Sequence, residues 1–144
     1  MITRILVALD ASPRAPDVLA AANELAMRFD ARMLLFRAIE VPPEFPPAAH
    51  VASGDPLPTY LGERAREELE ALAAGNPRAD VDHPIVVIGQ PWRAIVAAAD
   101  KLDADLIVIG SHGYHGIDRL LGTTAGKVAN HAHRNVLIVH PRAR

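Results

Sequence analysis

Apolar residues along this chain follow two alternating patterns. Five short segments are apolar almost throughout, which is typical of strands covered on both faces of a parallel sheet; they span residues 5–9, 32–39, 81–88, 105–110 and 135–139. Between them, apolar residues recur at helical spacing, which predicts helices from Pro16 to about Phe29, over about 59–74, from Pro91 to about Leu102 and over about 119–132. The predicted order of elements is therefore βαβαβαβαβ.

Such an alternation predicts an α/β fold, namely a five-stranded parallel doubly wound sheet of the Rossmann-like type with helices on both faces. The expected strand order is the flavodoxin-like order 3-2-1-4-5. Ligands of these sheets bind outside the carboxyl ends of the strands, where the strand order reverses. That rule directs attention to Asp10 after the first strand and to the segment that starts at Gly110 after the fourth.

Proline interrupts the chain between the second strand and the second helix. Residues 41–58 contain Pro42, Pro43, Pro46, Pro47, Pro56 and Pro58. Because proline restricts its own φ and disfavours helix at the residue before it, this segment is predicted to be a loop. A loop of that length is either a lid over a ligand or a disordered excursion, and the sequence leaves both open.

Composition narrows the classes of function. The chain has 144 residues, which predicts a single domain over residues 1–144. Its net charge of −2 and 4% aromatic content offer neither a basic surface nor stacking rings for nucleic acid. No stretch approaches the roughly 20 apolar residues of a membrane span, and the apolar run near Met1 is too short for a signal peptide. With no cysteine present, we expect a soluble, cytoplasmic protein.

The fourth strand leads into a segment suited to phosphate. Gly110 and Gly113 follow the strand, and Gly122, Thr123 and Thr124 precede the fourth helix. Glycines admit a ligand close to the backbone, and a helix N-terminus presents unpaired N–H groups and a partial positive charge. The spacings match neither a Walker loop nor the dinucleotide fingerprint. The alternative is that these glycines only turn the chain.

These pieces together resemble the universal stress protein family along nearly the whole chain. The similarity rests on ILVALDAS at 5–12, GQP at 89–91, ADLIVIGSHG at 104–113, GTT at 122–124 and VLIV at 136–139. In the ATP-binding branch of that family, the motif is glycine, two residues, glycine, nine residues, glycine, then Ser or Thr. Gly110 and Gly113 match its first half, whereas only the eight residues from Tyr114 to Leu121 precede Gly122.

The resemblance implies an ATP site, with Asp10 accepting a hydrogen bond from a ribose hydroxyl or helping to hold a nucleotide-bound Mg²⁺. It implies that Ala38 presents its backbone to the adenine edge. The implied contact residues are Ala8, Asp10, Ala38, Gly110, His112, Gly113, Gly122, Thr123 and Thr124. On the residues alone, Asp10 is equally a helix N-cap or turn residue, and Ala38 is equally ordinary sheet packing.

The resemblance also implies a role in stress response through binding rather than catalysis, and a homodimer formed through the last strand, Asn135 to Val139. An apolar edge strand without lysine independently invites pairing with a second chain. Two alternatives stay open. One is a nucleotide-free dimeric scaffold, which the shortened glycine segment favours.

The other alternative is a slow ATPase. Arg119 and Lys127 are the nearest basic candidates for it, although no general base is evident. The histidine pairs 112/115 and 131/133 meet no zinc spacing, so we expect no metal site built on histidine.

Overall fold

The structure is a computed structural model that describes residues 1–41, 43–44, 54–79, 83–111 and 123–140. Strands and helices alternate in it, as the hydrophobic pattern predicts. The strands are β1 (Arg4–Ala8), β2 (Arg32–Ile39), β3 (Ile85–Ile88), β4 (Leu106–Gly110) and β5 (Asn135–Val139). The helices are α1 (Ala15–Phe29), α2 (Leu57–Ala74), α3 (Pro91–Lys101) and α4 (Thr124–His131).

The strands form one parallel sheet in the order β3-β2-β1-β4-β5. This confirms the predicted fold class and strand order. Ile5 of β1 lies opposite Met33 of β2 on one side and opposite Leu106 of β4 on the other. The chain winds from β1 through β2 to β3 in one direction and then from β4 to β5 in the other. The strand order therefore reverses between β1 and β4, with every carboxyl end at the same edge.

Helices cover both faces of the sheet because successive strand residues point to opposite sides. Ile5 and Val7 belong to one buried cluster with residues of α1 and α2. Leu6 and Ala8 belong to a second cluster with residues of α3 and α4. The continuous apolar runs in the sequence thus reflect burial on both faces.

Two element boundaries within the described residues differ from the sequence prediction by more than one residue, and proline explains both. The segment predicted as a loop over 41–58 ends earlier, because α2 begins at Leu57 and Pro58 lies in its first turn. There the missing N–H of proline has no helical partner to lose. Strand β3 begins at Ile85 rather than at residue 81. Pro84 has no N–H to donate to a sheet ladder, and residues 80–82 lie outside the described ranges.

The rest of the proline-rich segment, residue 42 and residues 45–53, also lies outside the described ranges. Whether it forms a lid or a disordered excursion therefore stays a prediction. The same holds for residues 119–122, with which the fourth helix was predicted to begin. Within the described part, no helix combines the length and the apolar character that crossing a bilayer requires.

Asp105 anchors the amino-terminal edge of the sheet, opposite the edge where ligands bind in this class of fold. Its Oδ2 accepts hydrogen bonds from the backbone N–H groups of Thr3 at 2.8 Å and Arg4 at 3.0 Å. These bonds favour the ionised form and lower the pKa of Asp105 below its ordinary value. The start of β1 is thereby tied to the start of β4, which keeps the two central strands in register.

Candidate functional site

A cleft opens at the carboxyl edge of the sheet where β1 and β4 diverge. Its cavity volume is about 120 Å³ and it is open to solvent; this volume is below the roughly 300–1,000 Å³ that is usual for small-molecule sites. It is lined by Ala8, Leu9, Asp10, Ser12, Arg14, Val18, Phe36, Ala38, Pro91, Ile95, Ile109, Gly110, Ser111 and Thr124. Its position is the one at which doubly wound sheets bind ligands.

One side of the cleft is apolar. Phe36 and Ala38 come from β2, and Pro91 and Ile95 come from the start of α3. The side chains of Phe36 and Ile95 are buried, at 0% and 4% exposure, so this wall is held by the core. A flat apolar group, such as an aromatic base, fits a slot of this composition.

Several polar lining residues, Asp10, Ser12 and Arg14, come from the turn after β1. The Oδ1 atom of Asp10 accepts a hydrogen bond from the backbone N–H of Ser12 at 3.0 Å. The Oγ atom of Ser12 accepts one from the backbone N–H of Arg14 at 3.3 Å. Asp10 therefore shapes this turn, which was one of the two roles its position allowed, and its carboxylate also lines the cleft. A carboxylate has two oxygens with several acceptor sites, so the two roles are compatible.

Arg37 supports this turn from inside the protein. Its side chain is buried, and its Nε donates to the carbonyl oxygen of Leu9 at 3.3 Å. Its Nη2 donates to the carbonyl oxygen of Asp10 at 3.2 Å, and its Nη1 pairs with the carboxylate of Glu68 on α2. The guanidinium thus holds the backbone of two residues that line the cleft. The carboxylate of Glu68 and the two carbonyl oxygens in turn compensate the positive charge of the guanidinium, as the burial of a cation requires.

Gly110 owes its identity to packing as well as to its place beside the cleft. A Cβ atom added there would come within 2.9 Å of the Cγ2 atom of Val18 on α1. A side chain at this position would therefore require Val18 or the backbone to shift. The next residue, Ser111, is buried, and its backbone N–H donates to the carbonyl oxygen of Val139 at 2.9 Å.

The N-terminus of α4 forms the far side of the cleft. The Oγ1 atom of Thr123 accepts a hydrogen bond from the backbone N–H of Gly126 at 3.0 Å, so Thr123 is the N-cap of this helix. Thr124 is the first residue of α4 and lines the cleft. The Thr123 hydroxyl oxygen thus caps α4 by accepting a hydrogen bond from the backbone.

The structure brings five of the nine predicted contact residues to one cleft. These are Ala8, Asp10, Ala38, Gly110 and Thr124. Thr123 lies next to it as the helix cap. The other three, His112, Gly113 and Gly122, lie outside the described residues, so their predicted contacts stay predictions.

Sequence reasoning assigned no role to four polar residues that line or support this cleft: Ser12, Arg14, Arg37 and Ser111. A signal for Arg37 was present, because it is the charged residue inside an otherwise apolar strand. Arg14 also carried a signal, since it lies in the turn after the first strand that the ligand-binding rule singles out. For Ser111, the only signal in the sequence was its place after the fourth strand.

The residues considered for other chemistry lie elsewhere or outside the described ranges. The ring of His131 packs on that of Trp92 with centroids 4.5 Å apart, and the ring of His133 lies 3.4 Å from a carboxylate oxygen of Asp100. Among the described residues, no three histidine or carboxylate side chains converge as a metal site. Lys127 lies beyond the first residues of α4, and Arg119, His112 and His115 fall outside the described part of the chain.

Comparison with known proteins identifies close similarities over the full fold. A sequence model described as the universal stress protein family matches residues 1–140. Universal stress protein A homolog 2 of Coxiella burnetii is 36% identical over 137 residues, a match that covers 94% of this chain and 93% of that protein.

Two solved structures extend this similarity to three dimensions. A universal stress protein crystallised in complex with cAMP superposes with a TM-score of 0.64 at 29% identity, covering 96% of this chain and 97% of that one. UspA from Lactobacillus plantarum gives a TM-score of 0.67 at 25% identity, covering 95% of this chain and 97% of that one.

Proposed function

The chain belongs to the universal stress protein family, and from that premise we propose that its cleft binds an adenine nucleotide. The observation that carries the proposal is a cleft at the topological switch point that is lined by both apolar and polar residues. Phe36, Ala38 and Ile95 are among the apolar ones, and Asp10 and Thr124 are among the polar ones. A molecule that combines a flat base with phosphate matches a lining of both kinds.

A related protein supports the chemistry. The universal stress protein that superposes at 29% identity was crystallised with cAMP, which joins an adenine base to a phosphate. In the present chain, the backbone of Ala38 at the end of β2 would face the adenine. The Asp10 carboxylate would accept a hydrogen bond from a ribose hydroxyl, and the first turn of α4 would meet phosphate.

We propose ATP with Mg²⁺ as the bound form. Mg²⁺ usually binds through one or two carboxylates together with substrate phosphates and keeps several waters. Asp10 is the acidic residue among those described around the cleft, so it would hold the ion through the nucleotide. The protein would act by binding in a cytoplasmic stress response, as a homodimer joined through β5, and not by catalysis.

Calorimetric titration with ATP tests this proposal, in the presence of Mg²⁺ and again after its chelation. We expect saturable binding of ATP that is stronger with Mg²⁺. Asp10→Asn should weaken the Mg²⁺-dependent binding about tenfold, because a charge-assisted interaction is worth about 1.5–3 kcal/mol. Asp17→Asn is the matched control, because Asp17 lies in the first turn of α1 but does not line the cleft.

Absence of binding at millimolar ATP, with or without Mg²⁺, would contradict the proposal. That result would favour the nucleotide-free scaffold, which the glycine segment supports by having eight rather than nine residues between Gly113 and Gly122. Equal losses in Asp10→Asn and Asp17→Asn would contradict the assigned role of Asp10 alone.

A further inference from the structure

Arg14 carries the positive charge among the described residues that line the cleft, and Asp10 carries the negative one. Arg14 lies at the N-cap position of α1, in the turn that follows β1. Its backbone is fixed there, because its N–H donates to the Oγ of Ser12 at 3.3 Å and its carbonyl accepts from the N–H groups of Asp17 and Val18 at 3.0 and 3.2 Å. The side chain therefore starts from a rigid base.

The guanidinium of Arg14 extends across the cleft toward the end of β4. Its Nη1 lies 3.4 Å from the carbonyl oxygen of Ser111, a residue 97 positions away along the chain. That contact is at the long end of hydrogen-bond distances. The charge thereby lies beside the end of β4, where Gly110 and Ser111 line the cleft.

An arginine in this place has the chemistry to select phosphate. Its planar guanidinium presents five N–H donors, matches the geometry of phosphate oxygens and is weakly hydrated, so little is lost when water leaves it. A phosphate is a far better acceptor for it than a carbonyl oxygen at 3.4 Å.

We propose that Arg14 is the specificity-determining residue by which the cleft distinguishes phosphorylated adenine compounds from the free nucleoside. The inference rests on the proposed nucleotide site and deepens it. Because Arg14 lies in the turn between β1 and α1, its contribution does not depend on how many residues separate the glycines after β4. Arg14 therefore offers a contact for phosphate that does not require the glycine segment to have its full length.

The test compares adenosine with AMP in calorimetric titrations of the full chain. AMP adds one phosphate to adenosine and leaves the base and ribose unchanged. The wild-type protein should bind AMP more tightly than adenosine by about tenfold or more, as one charge-assisted contact predicts. Arg14→Gln should remove most of that advantage while changing adenosine affinity by less than about twofold, since it takes away only the charged contact.

Two further variants separate charge from structure. Arg14→Lys keeps the charge but loses the fork of donors, so its preference for AMP should fall between those of the wild type and Arg14→Gln. Arg28→Gln is the matched control, because Arg28 is exposed in the last turn of the same helix and pairs with Glu24. It should bind both ligands as the wild type does. Added salt should weaken AMP binding more in the wild type than in Arg14→Gln.

The outcomes distinguish this inference from the proposal on which it rests. If the wild type binds adenosine and AMP equally, or if Arg14→Gln weakens both by the same factor, Arg14 does not select phosphate although the nucleotide site stands. If the wild type binds neither these ligands nor ATP, the nucleotide site itself is wrong and the role of Arg14 falls with it.

Discussion

Two separate features account for the glycine at position 110. In the sequence it stands out as the first glycine of a segment suited to phosphate. In the structure it is also the point at which α1 crosses β4, where an added Cβ would lie 2.9 Å from Val18. The packing reason holds whether or not a ligand is bound, so stability and binding can be measured separately at this position.

Gly110→Ala should lower the free energy of unfolding by about 1–3 kcal/mol, the usual cost of overpacking. Chemical denaturation of the variant without ligand measures this. Gly89→Ala is the matched control, because Gly89 also lies at the carboxyl edge of the sheet and its added Cβ would meet nothing within 4 Å. The cost of Gly110→Ala should shrink in a Val18→Ala background, since the two residues touch. Equal stability of Gly110→Ala and the wild type would show that α1 adjusts freely.

Asp10 and Arg14 are close in the chain, but the sequence indicates the location of Asp10 at the cleft more directly than that of Arg14. Asp10 follows directly on a strand, so the general rule for doubly wound sheets places it at the ligand edge. Arg14 follows four positions later, and its side chain reaches the cleft only because the turn bends back on the hydrogen bonds of Asp10 and Ser12. That bend depends on bonds that the sequence does not display.

At the scale of elements, Arg37 joins three parts of the fold. It belongs to β2, it donates to the carbonyl oxygens of Leu9 and Asp10 after β1, and it pairs with Glu68 on α2. Removing the buried guanidinium leaves two carbonyl oxygens without their charged donor, whereas the half-exposed Glu68 carboxylate can be hydrated. The turn beside the cleft therefore depends on a side chain from the neighbouring strand.

Arg37→Met should destabilise the protein by about 2 kcal/mol, because two carbonyl groups lose a charged donor while the Glu68 carboxylate regains water. Glu68→Gln should cost less, since it leaves both carbonyl contacts of Arg37 in place. Arg32→Met, at the exposed start of the same strand, is the control and should stay near the wild-type value. Thermal or urea unfolding measures the change in the free energy of unfolding for all three variants. A loss in Arg37→Met no greater than in Arg32→Met would contradict the role assigned to Arg37.

At the scale of the whole molecule, β5 is the outer strand beside β4 and carries an exposed apolar side chain. Leu137 is 38% exposed, whereas its neighbours Val136 and Ile138 pack against the core on the α3 and α4 side. An outer strand of this kind has one row of backbone groups directed away from the sheet. These features support the proposed homodimer through Asn135–Val139.

Sedimentation of the wild type at micromolar concentration should report a dimer. Leu137→Lys should shift it to a monomer, because a lysine on an edge strand opposes pairing. Met27→Lys is the control, since Met27 is an apolar side chain that is 63% exposed on α1 and does not belong to the edge strand, and it should stay dimeric. A monomeric wild type, or a Leu137→Lys variant that remains dimeric, would contradict pairing through this strand.

Much of the architecture follows from local patterns in the chain. Strand β2 and strand β5 have the bounds that their apolar runs predict, because burial on both faces requires uninterrupted apolar residues. The strand order could be inferred as well, since alternating strands and helices leave few ways to wind a parallel sheet. The place of the site followed from that order, which is why Asp10, Ala38 and Gly110 are found at one cleft.

The rest depends on contacts between residues that are distant along the chain. Nothing local indicates that Arg14 reaches Ser111, that Arg37 holds the carbonyl groups of Leu9 and Asp10, or that Val18 leaves no room at Gly110. Periodicity records whether a position is buried but not which partner it meets, because partners are set by how the helices pack on the sheet. The chain's own pattern therefore accounts for the sheet and the edge where the cleft opens, while tertiary packing places the charges around it.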